Sequence, residues 1–220
     1  MNTDGRKTAL RITEIFHSIQ GESTAAGLPC VFVRLTGCPL RCRWCDTAYA
    51  FEGGTLMTQD EVMAQVASFG CTLVEVTGGE PMAQPGCVPL LRRLADSGYR
   101  PMLETSGALS VAEVDSRVRV VMDLKCPDSG EVDRTLWQNL PVLKPDDEIK
   151  FVIASRRDYE WARAVLRDRQ LVSRHAILFA PVWGELEPAR LAEWILADRL
   201  PVRLQIQVHK VLYGAEAQGV

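Results

Sequence analysis

The sequence predicts an α/β protein in which parallel strands form a partial, open β/α barrel. Three observations support this fold class: apolar runs with strand character alternate with helical patterns, about six or seven such units occur, and polar clusters follow several of the strands. Strands that alternate with helices pair in parallel through right-handed crossovers. Because a full barrel needs eight units, we expect this sheet to stay open.

The predicted strands are short runs, most of them rich in Val, Ile, Leu or Phe, which is typical of strands that are covered on both faces. They lie at Val31 to Thr36, Leu73 to Thr77, Pro101 to Glu104, Val118 to Leu124, Glu148 to Ile153, Ala176 to Ala180 and Val202 to Val208.

The predicted helices lie between these strands. Thr58 with Glu61 three residues later indicates a capping box, and Pro188 suits the first turn of a helix. No repeat or long linker divides the chain, so we expect residues 1–220 to form one domain. The helices are predicted at Thr58 to Ser68, Val88 to Ser97, Val111 to Ser116, Asp133 to Leu140, Arg157 to Arg169 and Pro188 to Asp198.

Composition restricts the classes of function. A net charge of -3 argues against nucleic acid or an anionic membrane as the partner, because both need a large basic surface. No window approaches the roughly 18 apolar residues of a membrane span, and the first residues lack a signal-peptide pattern, so we expect a cytoplasmic protein. In that reducing compartment, the seven cysteines favour a metal or catalytic site over disulfides.

Polar clusters lie at or just past the ends of four predicted strands. Reactive groups collect at the carboxyl edge of a parallel sheet, because the loops there face a common crevice. We therefore expect these clusters to meet in one site. They are Thr77-Gly78-Gly79-Glu80, Glu104-Thr105-Ser106-Gly107, Asp123-Leu124-Lys125 and His209-Lys210.

The loop after Thr36 carries three closely spaced cysteines, Cys38, Cys42 and Cys45. Three thiolates can hold three irons of a [4Fe-4S] cluster and leave the fourth iron open to another molecule. We expect the interleaved Arg41 and Arg43 to favour thiolates and Trp44 to shield the centre from water.

Two other interpretations of the cysteine loop stay open. The first is a structural zinc site completed by a fourth residue such as Cys71, and the second is three unrelated buried cysteines. The isolated Cys30, Cys71, Cys87 and Cys126 have the pattern of small core residues.

The C-x3-C-x2-C loop, followed by Gly78-Gly79-Glu80-Pro81 after the next strand, resembles the radical S-adenosylmethionine (radical SAM) superfamily. The resemblance implies a partial barrel of the radical SAM type, a [4Fe-4S] cluster and S-adenosylmethionine as cofactors. An ion pair between Lys125 and Asp123 is the alternative to ligand binding by these two residues. Positions implied to contact S-adenosylmethionine are Trp44, Cys45, Asp46, Gly78, Gly79, Glu80, Asp123 and Lys125.

Further segments resemble the family of 7-carboxy-7-deazaguanine synthases. That resemblance implies ring contraction of 6-carboxy-5,6,7,8-tetrahydropterin with loss of ammonia, in queuosine and 7-deazapurine biosynthesis. It also implies a homodimer, and we expect a flavodoxin or ferredoxin as the reductant. The matching segments are Glu14 to Glu22, Phe32 to Leu35, Cys45 to Thr47, Glu104 to Gly107, Asp123 to Pro127 and Gln207 to Lys210.

The same resemblance implies a set of residues around the pterin. Arg34 would meet the substrate carboxylate with its planar fork, although a surface ion pair in an edge strand is the alternative. Thr47 would bind Mg²⁺ together with substrate oxygens, and capping of the following turn is its alternative. The remaining implied substrate residues are Gln20, Gly21, Glu22, Thr77, Glu104 and His209.

Two rival functions stay open on the sequence. A radical SAM activating enzyme would install a glycyl radical on a large partner and would need no substrate arginine. The second rival is a zinc or iron-sulfur binding module without catalysis, in which the polar clusters at the strand ends would have no function.

Overall fold

The computed structural model describes residues 9–220, and these form one nine-stranded sheet with helices packed on it. The helices are α1 (Gln59–Ser68), α2 (Cys87–Asp96), α3 (Arg156–Asp168), α4 (Pro188–Ala197) and α5 (Val208–Tyr213). The strands are β1 (Leu10–Ile19), β2 (Pro29–Leu35), β3 (Thr55–Met57), β4 (Leu73–Gly78), β5 (Arg100–Thr105), β6 (Arg119–Asp123), β7 (Glu148–Ile153), β8 (Ala176–Pro181) and β9 (Arg203–Leu204).

The sheet is mostly parallel and open, as the alternating pattern predicts. Its strand order is β3-β1-β2-β4-β5-β6-β7-β8-β9, and each neighbouring pair from β2 to β9 is parallel. Strands β3 and β9 are the two edges, so the partial barrel is confirmed. In addition, β1 pairs antiparallel with both β2 and β3. The sequence analysis missed β1, which is fixed by this antiparallel pairing with distant segments and whose register with β2 shifts between Ile12 and Glu14.

The two faces of the sheet differ in composition. Alternate strand residues such as Val74, Val76, Ile149 and Phe151 belong to a large apolar core that includes residues of α1 to α4. The opposite face holds a smaller apolar cluster near the amino ends of the strands, which includes Leu73. In β2, β4, β5 and β6, this inner face becomes polar two residues further along, at Arg34, Glu75, Glu104 and Asp123.

The helix predictions are right for four elements. The capping box is present at the start of α1, where the Thr58 hydroxyl accepts from the Glu61 amide and Glu61 accepts from the Thr58 amide at 2.7 Å. Among residues 9–220, no helix is long and apolar enough to cross a membrane.

Three element predictions are wrong. Residues 111–116 form turns, in which side chains bind the backbone amides: the Val111 amide donates to Asn139 at 3.1 Å and the Arg117 amide donates to Asp115 at 3.0 Å. The predicted helix at Asp133 to Leu140 is two 3-10 turns, Val132–Arg134 and Trp137–Val142. The predicted strand Val202 to Val208 is reduced to β9, after which the Val208 amide donates to the Gly21 carbonyl at 3.0 Å and α5 begins.

Candidate active site

A cavity of about 520 Å³ lies at the carboxyl ends of the parallel strands. It is lined by residues from nearly the whole length of the chain, including the segment 215–220 at its end. Of the predicted site residues, it brings together Gln20, Gly21, Glu22, Arg34, Cys38, Cys42, Trp44, Cys45, Asp46, Thr47, Thr77, Gly78, Gly79, Glu104, Asp123, Lys125 and His209.

The cysteine loop is anchored to the end of β4. The Gly79 amide donates to the Leu35 carbonyl at 3.1 Å, and the Glu80 amide donates to the Gly37 carbonyl at 2.8 Å. Gly78 has a φ of 142°, and a Cβ atom there would collide with the Leu35 backbone. The glycines therefore let β4 pack closely against the start of the cysteine loop, besides lining the cavity.

The three loop cysteines are partly exposed free thiols that line the cavity. Burial raises the pKa of the Cys42 thiol to about 11, and the nearby Lys125 ammonium opposes that shift. Metal binding by these residues would therefore release protons. Within residues 9–220, no group of three His, Cys, Asp or Glu side chains is close enough to bind one metal ion. A [4Fe-4S] cluster does not need such a group, because each of its thiolates binds a different iron.

The loop arginines also contact other groups of the chain. Arg41 donates to the carbonyls of Cys38 and Leu40 at 2.8 and 2.7 Å, so it fixes the loop backbone. Arg43 forms an ion pair with Glu185 at 2.7 Å. Lys125 lowers the pKa of all three thiols and Arg41 lowers that of Cys45, whereas Arg43 is paired with Glu185, so its effect on the thiolates stays a prediction.

Cys71 does not lie near the cysteine loop. Its thiol donates to the Pro29 carbonyl at 3.3 Å, at the first residue of β2, whereas the cysteine loop follows the last residue, Leu35. A strand of this length separates the two ends by roughly 20 Å. The zinc site completed by Cys71 is therefore wrong, and Cys30, Cys87 and Cys126 are buried as predicted.

Glu80 is not among the residues that line the cavity. It is wholly buried, and its carboxylate accepts from the Met82 amide at 3.0 Å, the Thr105 hydroxyl at 2.8 Å and the Ser106 amide at 2.8 Å. These donors occupy both carboxylate oxygens. Glu80 therefore ties the end of β4 to the end of β5, and its predicted contact with an ammonium is wrong.

Arg34 lies in β2, between β1 and β4, so it does not belong to an edge strand. Its Nε pairs with Glu14 at 2.6 Å, and its guanidinium lies 5.7 Å from the ring centre of Phe16 and 5.8 Å from that of Tyr49. This ion pair uses Nε, which leaves the two terminal nitrogens for a carboxylate.

The turn after β1 places Gln20, Gly21 and Glu22 against the cavity. The Gln20 amide group donates to Glu75 at 2.6 Å and accepts from the Glu22 backbone at 3.0 Å, so its side chain supports the turn. A Cβ atom on Gly21 would collide with the His209 ring. His209 thus packs on this turn from α5, rather than lying at a strand end as predicted.

A buried ion cluster forms the floor of the cavity, and we call its four residues, Glu22, Glu104, Asp123 and Lys150, the Lys150 cluster. The Lys150 ammonium contacts Glu104, lies 2.5 Å from Glu22 and lies 3.6 Å from Asp123. Burial disfavours the ammonium, but the three carboxylates together hold the pKa of Lys150 well above its usual value. A charged lysine is therefore fixed beneath the cavity.

The carboxylates of this cluster are not equivalent. Burial raises the pKa of Glu104 in spite of Lys150, whereas for Glu22 the lysine outweighs burial and the pKa falls. For Asp123, Lys125 and Lys150 likewise outweigh burial and lower the pKa. Lys125 pairs with Asp123 at 2.8 Å, as the alternative interpretation predicts, and both residues also line the cavity, so their contact with a ligand stays a prediction.

Asp46 is held by Lys210 of α5 and by Gln207, the residue before that helix, and Thr47 follows Asp46 in the cavity wall. Lys210 donates to Asp46 at 2.6 Å, and Gln207 donates to Glu22 at 2.7 Å and to Asp46 at 3.3 Å. The Thr47 hydroxyl donates to Asp46 at 3.0 Å and makes no capping bond to the following turn. The alternative role of Thr47 as a cap is therefore wrong.

Sequence analysis missed Lys150 and Glu75, which complete the floor of the cavity. One signal could have found both residues. Each is a charged residue between apolar neighbours in a strand, Val74 and Val76 around Glu75 and Ile149 and Phe151 around Lys150, and a buried charge needs a partner.

Comparison with known proteins places these observations in a family context. The model of the radical SAM superfamily matches residues 32–168. The chain is 49% identical to the 7-carboxy-7-deazaguanine synthase of Chlorobaculum tepidum, over 96% of this chain and 97% of that protein. It is 44% identical to the protein of the same name from Koribacter versatilis, over 96% of this chain and 100% of that protein.

A solved structure shows the same fold. The crystal structure of QueE from Escherichia coli superposes with a TM-score of 0.77 at 26% sequence identity, covering 94% of this chain and 99% of that one.

Proposed function

Because this chain belongs to the radical SAM superfamily and, within it, to the family of 7-carboxy-7-deazaguanine synthases, we propose that it converts 6-carboxy-5,6,7,8-tetrahydropterin to 7-carboxy-7-deazaguanine with loss of ammonia. It is then a carbon-nitrogen lyase of queuosine and 7-deazapurine biosynthesis. One observation carries the proposal: the three-cysteine loop and the Lys150 cluster line a single cavity of about 520 Å³.

The cofactor end of the cavity is the cysteine loop. Cys38, Cys42 and Cys45 would hold the [4Fe-4S] cluster, and their partly exposed thiols suit that role. When bound, the cluster and S-adenosylmethionine supply the one-electron chemistry that starts the ring contraction.

Several chain groups suit S-adenosylmethionine beside that loop. One oxygen of Asp123, Oδ1, is buried without a hydrogen-bond partner among the described residues and can accept from a hydroxyl or ammonium group. The other residues that would contact the cofactor are Trp44, Cys45, Asp46, Gly78, Gly79 and Lys125, all of which line the cavity.

The substrate end lies between Arg34 and the Lys150 cluster. The terminal nitrogens of Arg34 offer two parallel N–H donors to the pterin carboxylate. Glu22 and Glu104 offer acceptors for the N–H groups of the aminopyrimidine edge. Thr77, Gly21 and His209 form the adjacent walls and exclude water from the reacting carbon.

Four further features stay predictions. They are Mg²⁺ bound at Thr47, a homodimer, a flavodoxin or ferredoxin as the reductant and a cytoplasmic location. A hydroxyl alone binds Mg²⁺ weakly, so that ion would depend on substrate oxygens and water.

Anaerobic reconstitution followed by turnover tests the proposed function. The reduced protein with S-adenosylmethionine, Mg²⁺ and the carboxytetrahydropterin should yield 7-carboxy-7-deazaguanine and ammonia, detected by mass spectrometry and an ammonia assay. Arg34→Ala should retain the cluster absorbance and lose kcat/KM by on the order of 100-fold, because a charged bidentate contact is lost.

Arg119→Ala is the matched control, since Arg119 lies at the amino end of β6, away from the cavity. This variant should turn over normally. Cleavage of S-adenosylmethionine without any deazaguanine product would contradict the proposal and favour an activating enzyme, and colourless zinc-loaded protein would contradict radical chemistry altogether.

A further inference from the structure

Arg34 is held by a carboxylate that does not itself line the cavity. Arg34 and Glu14 are direct partners in the antiparallel pairing of β2 with β1, and the Arg34 Nε lies 2.6 Å from Glu14. The two side chains are 17% and 20% exposed, so water screens this pair less than an ion pair on the open surface. Arg34 is among the residues that line the cavity, whereas Glu14 is not. An arginine that faces the ligand is thus fixed by a residue outside the cavity wall.

A bulge in β1 makes Glu14 the partner of Arg34. Ile12 pairs with Leu35, and without a register shift the next residue, Thr13, would be opposite Arg34. The shift after Ile12 leaves Thr13 as the extra residue and puts Glu14 opposite Arg34 instead. Bulges redirect single side chains, and this one replaces a short hydroxyl with a carboxylate that reaches the Arg34 Nε.

Tyr49 follows the cysteine loop and contacts the same ion pair. Its hydroxyl donates at 2.8 Å to the Glu14 Oε1, the oxygen that also accepts from Arg34. The Arg34 guanidinium lies 5.7 Å from the ring centre of Phe16 and 5.8 Å from that of Tyr49. Two aromatic rings and one carboxylate oxygen therefore restrict its orientation. Among residues 9–220, no acceptor is bonded to its terminal nitrogens.

We propose that Glu14 is a positioning residue, which holds Arg34 so that its two terminal nitrogens meet the substrate carboxylate in a bidentate contact. The inference rests on the proposed function, since it explains how the arginine assigned to that carboxylate is oriented. A guanidinium fork that is fixed before binding loses less side-chain entropy when the ligand arrives. The negative charge of Glu14 opposes the binding of an anion, so its contribution has to come from the position of Oε1.

The test compares 6-carboxypterin with pterin, which lacks only the carboxylate. Dissociation constants are measured by ligand fluorescence for the reconstituted protein with S-adenosylmethionine and Mg²⁺ under anaerobic conditions, and their ratio is the preference for the carboxylate. This preference should be about 100-fold in wild type and within about threefold of unity in Arg34→Ala. Glu14→Asp keeps the charge but is one methylene too short to hold Oε1 in place, so its preference should fall to about tenfold.

Two further variants separate position from charge. Glu14→Gln keeps an oxygen at the position of Oε1 and removes the charge, so its preference should equal or exceed that of wild type. Tyr49→Phe removes one donor to Oε1 but keeps the ring, so its preference should be about threefold lower than that of wild type, and it carries the test if Glu14→Asp does not fold. Glu160→Asp is the matched control, because it shortens a carboxylate that pairs with Arg156 at 2.6 Å on α3, and both ligands should bind it as they bind wild type.

If Glu14 has only a structural role, Glu14→Asp and Tyr49→Phe weaken both ligands by the same factor and leave the preference at its wild-type value, which would overturn the inference. A preference that falls as far in Glu14→Gln as in Glu14→Asp would also overturn it, because the charge would then matter more than the position. Cluster absorbance and thermal unfolding monitor each variant. A wild type that makes no deazaguanine contradicts the proposed function, whereas a wild type that makes it, with a preference that Glu14→Asp leaves unchanged, contradicts the role of Glu14 alone.

Discussion

Two glutamates at neighbouring strand ends, Glu80 after β4 and Glu104 in β5, have opposite surroundings. The Glu80 carboxylate accepts hydrogen bonds from three residues of the chain and lies outside the cavity wall. Glu104 lines the cavity and is held by Lys150. A carboxylate saturated by backbone and hydroxyl donors stabilises the fold, whereas one held by a single cation keeps acceptor capacity for a ligand. The number of internal donors therefore separates the two roles better than residue type does.

The largest expected change in stability is at Glu80. Glu80→Gln keeps the side-chain volume but turns one acceptor into a donor that faces the Ser106 amide, so we expect the free energy of unfolding to fall by about 2 to 4 kcal/mol. Urea unfolding of the metal-free protein, followed by tryptophan fluorescence, measures it. Glu61→Gln is the control, because Glu61 also accepts from a backbone amide but on the surface, and its effect should be clearly smaller. If the free energy of unfolding falls equally in both variants, the buried hydrogen bonds of Glu80 stabilise the fold no more than the exposed ones of Glu61.

Glu104→Gln should have the reverse profile. Because burial raises the pKa of Glu104, its ionised form gives the fold little, and the neutral amide should change unfolding by less than about 1 kcal/mol. Turnover should fall by roughly 10- to 100-fold in kcat/KM, since a charged acceptor for the pyrimidine edge is lost.

The matched control for Glu104 is Glu148→Gln. Glu148 is buried at the amino end of β7 and accepts from the Thr24 amide at 2.9 Å, away from the cavity wall. This variant should lose stability and keep kcat/KM. If Glu104→Gln turns over normally, then a carboxylate whose partner is a buried lysine does not necessarily bind the substrate.

The smallest expected effect is a change in stability at Glu75, which, like Glu80, accepts a hydrogen bond from a neutral donor and, like Glu104, lines the cavity. Burial, with Glu104 and Glu22 nearby, raises the pKa of Glu75 well above its usual value, while Gln20 donates to it at 2.6 Å. The folded state therefore keeps a proton that the unfolded chain releases, and its stability falls as pH rises from about 4.3 through the raised pKa. Glu75→Gln cannot titrate and should be more stable than wild type by about 1 kcal/mol at pH 8, with the gap closing as pH falls towards 4.3.

Urea unfolding at a series of pH values checks this sign. Glu113→Gln, an exposed position, should show no comparable pH-dependent gap relative to wild type. A Glu75→Gln variant that is less stable than wild type at pH 8 would mean that the Glu75 charge is favourable in the fold.

The missed elements of the fold share one cause. Strand β1 depends on antiparallel pairing with β2 and β3, and α5 begins where Val208 bonds to Gly21. Both are fixed by partners far along the chain, which a local pattern does not contain. The parallel strands and the helices α1 to α4 were predictable because their apolar residues recur at the period of the element itself.

By itself the sequence determined the parallel sheet, the cysteine loop and the edge where polar residues meet, since each follows from local periodicity and spacing. Only the tertiary structure decided which of those polar groups face the cavity. Lys150 and Glu22 are 128 positions apart yet share a hydrogen bond, and Glu80 turned out to be enclosed by the next strand. Contacts between distant segments set the burial and the partners of a charge, and these determine whether it binds a ligand or stabilises the fold.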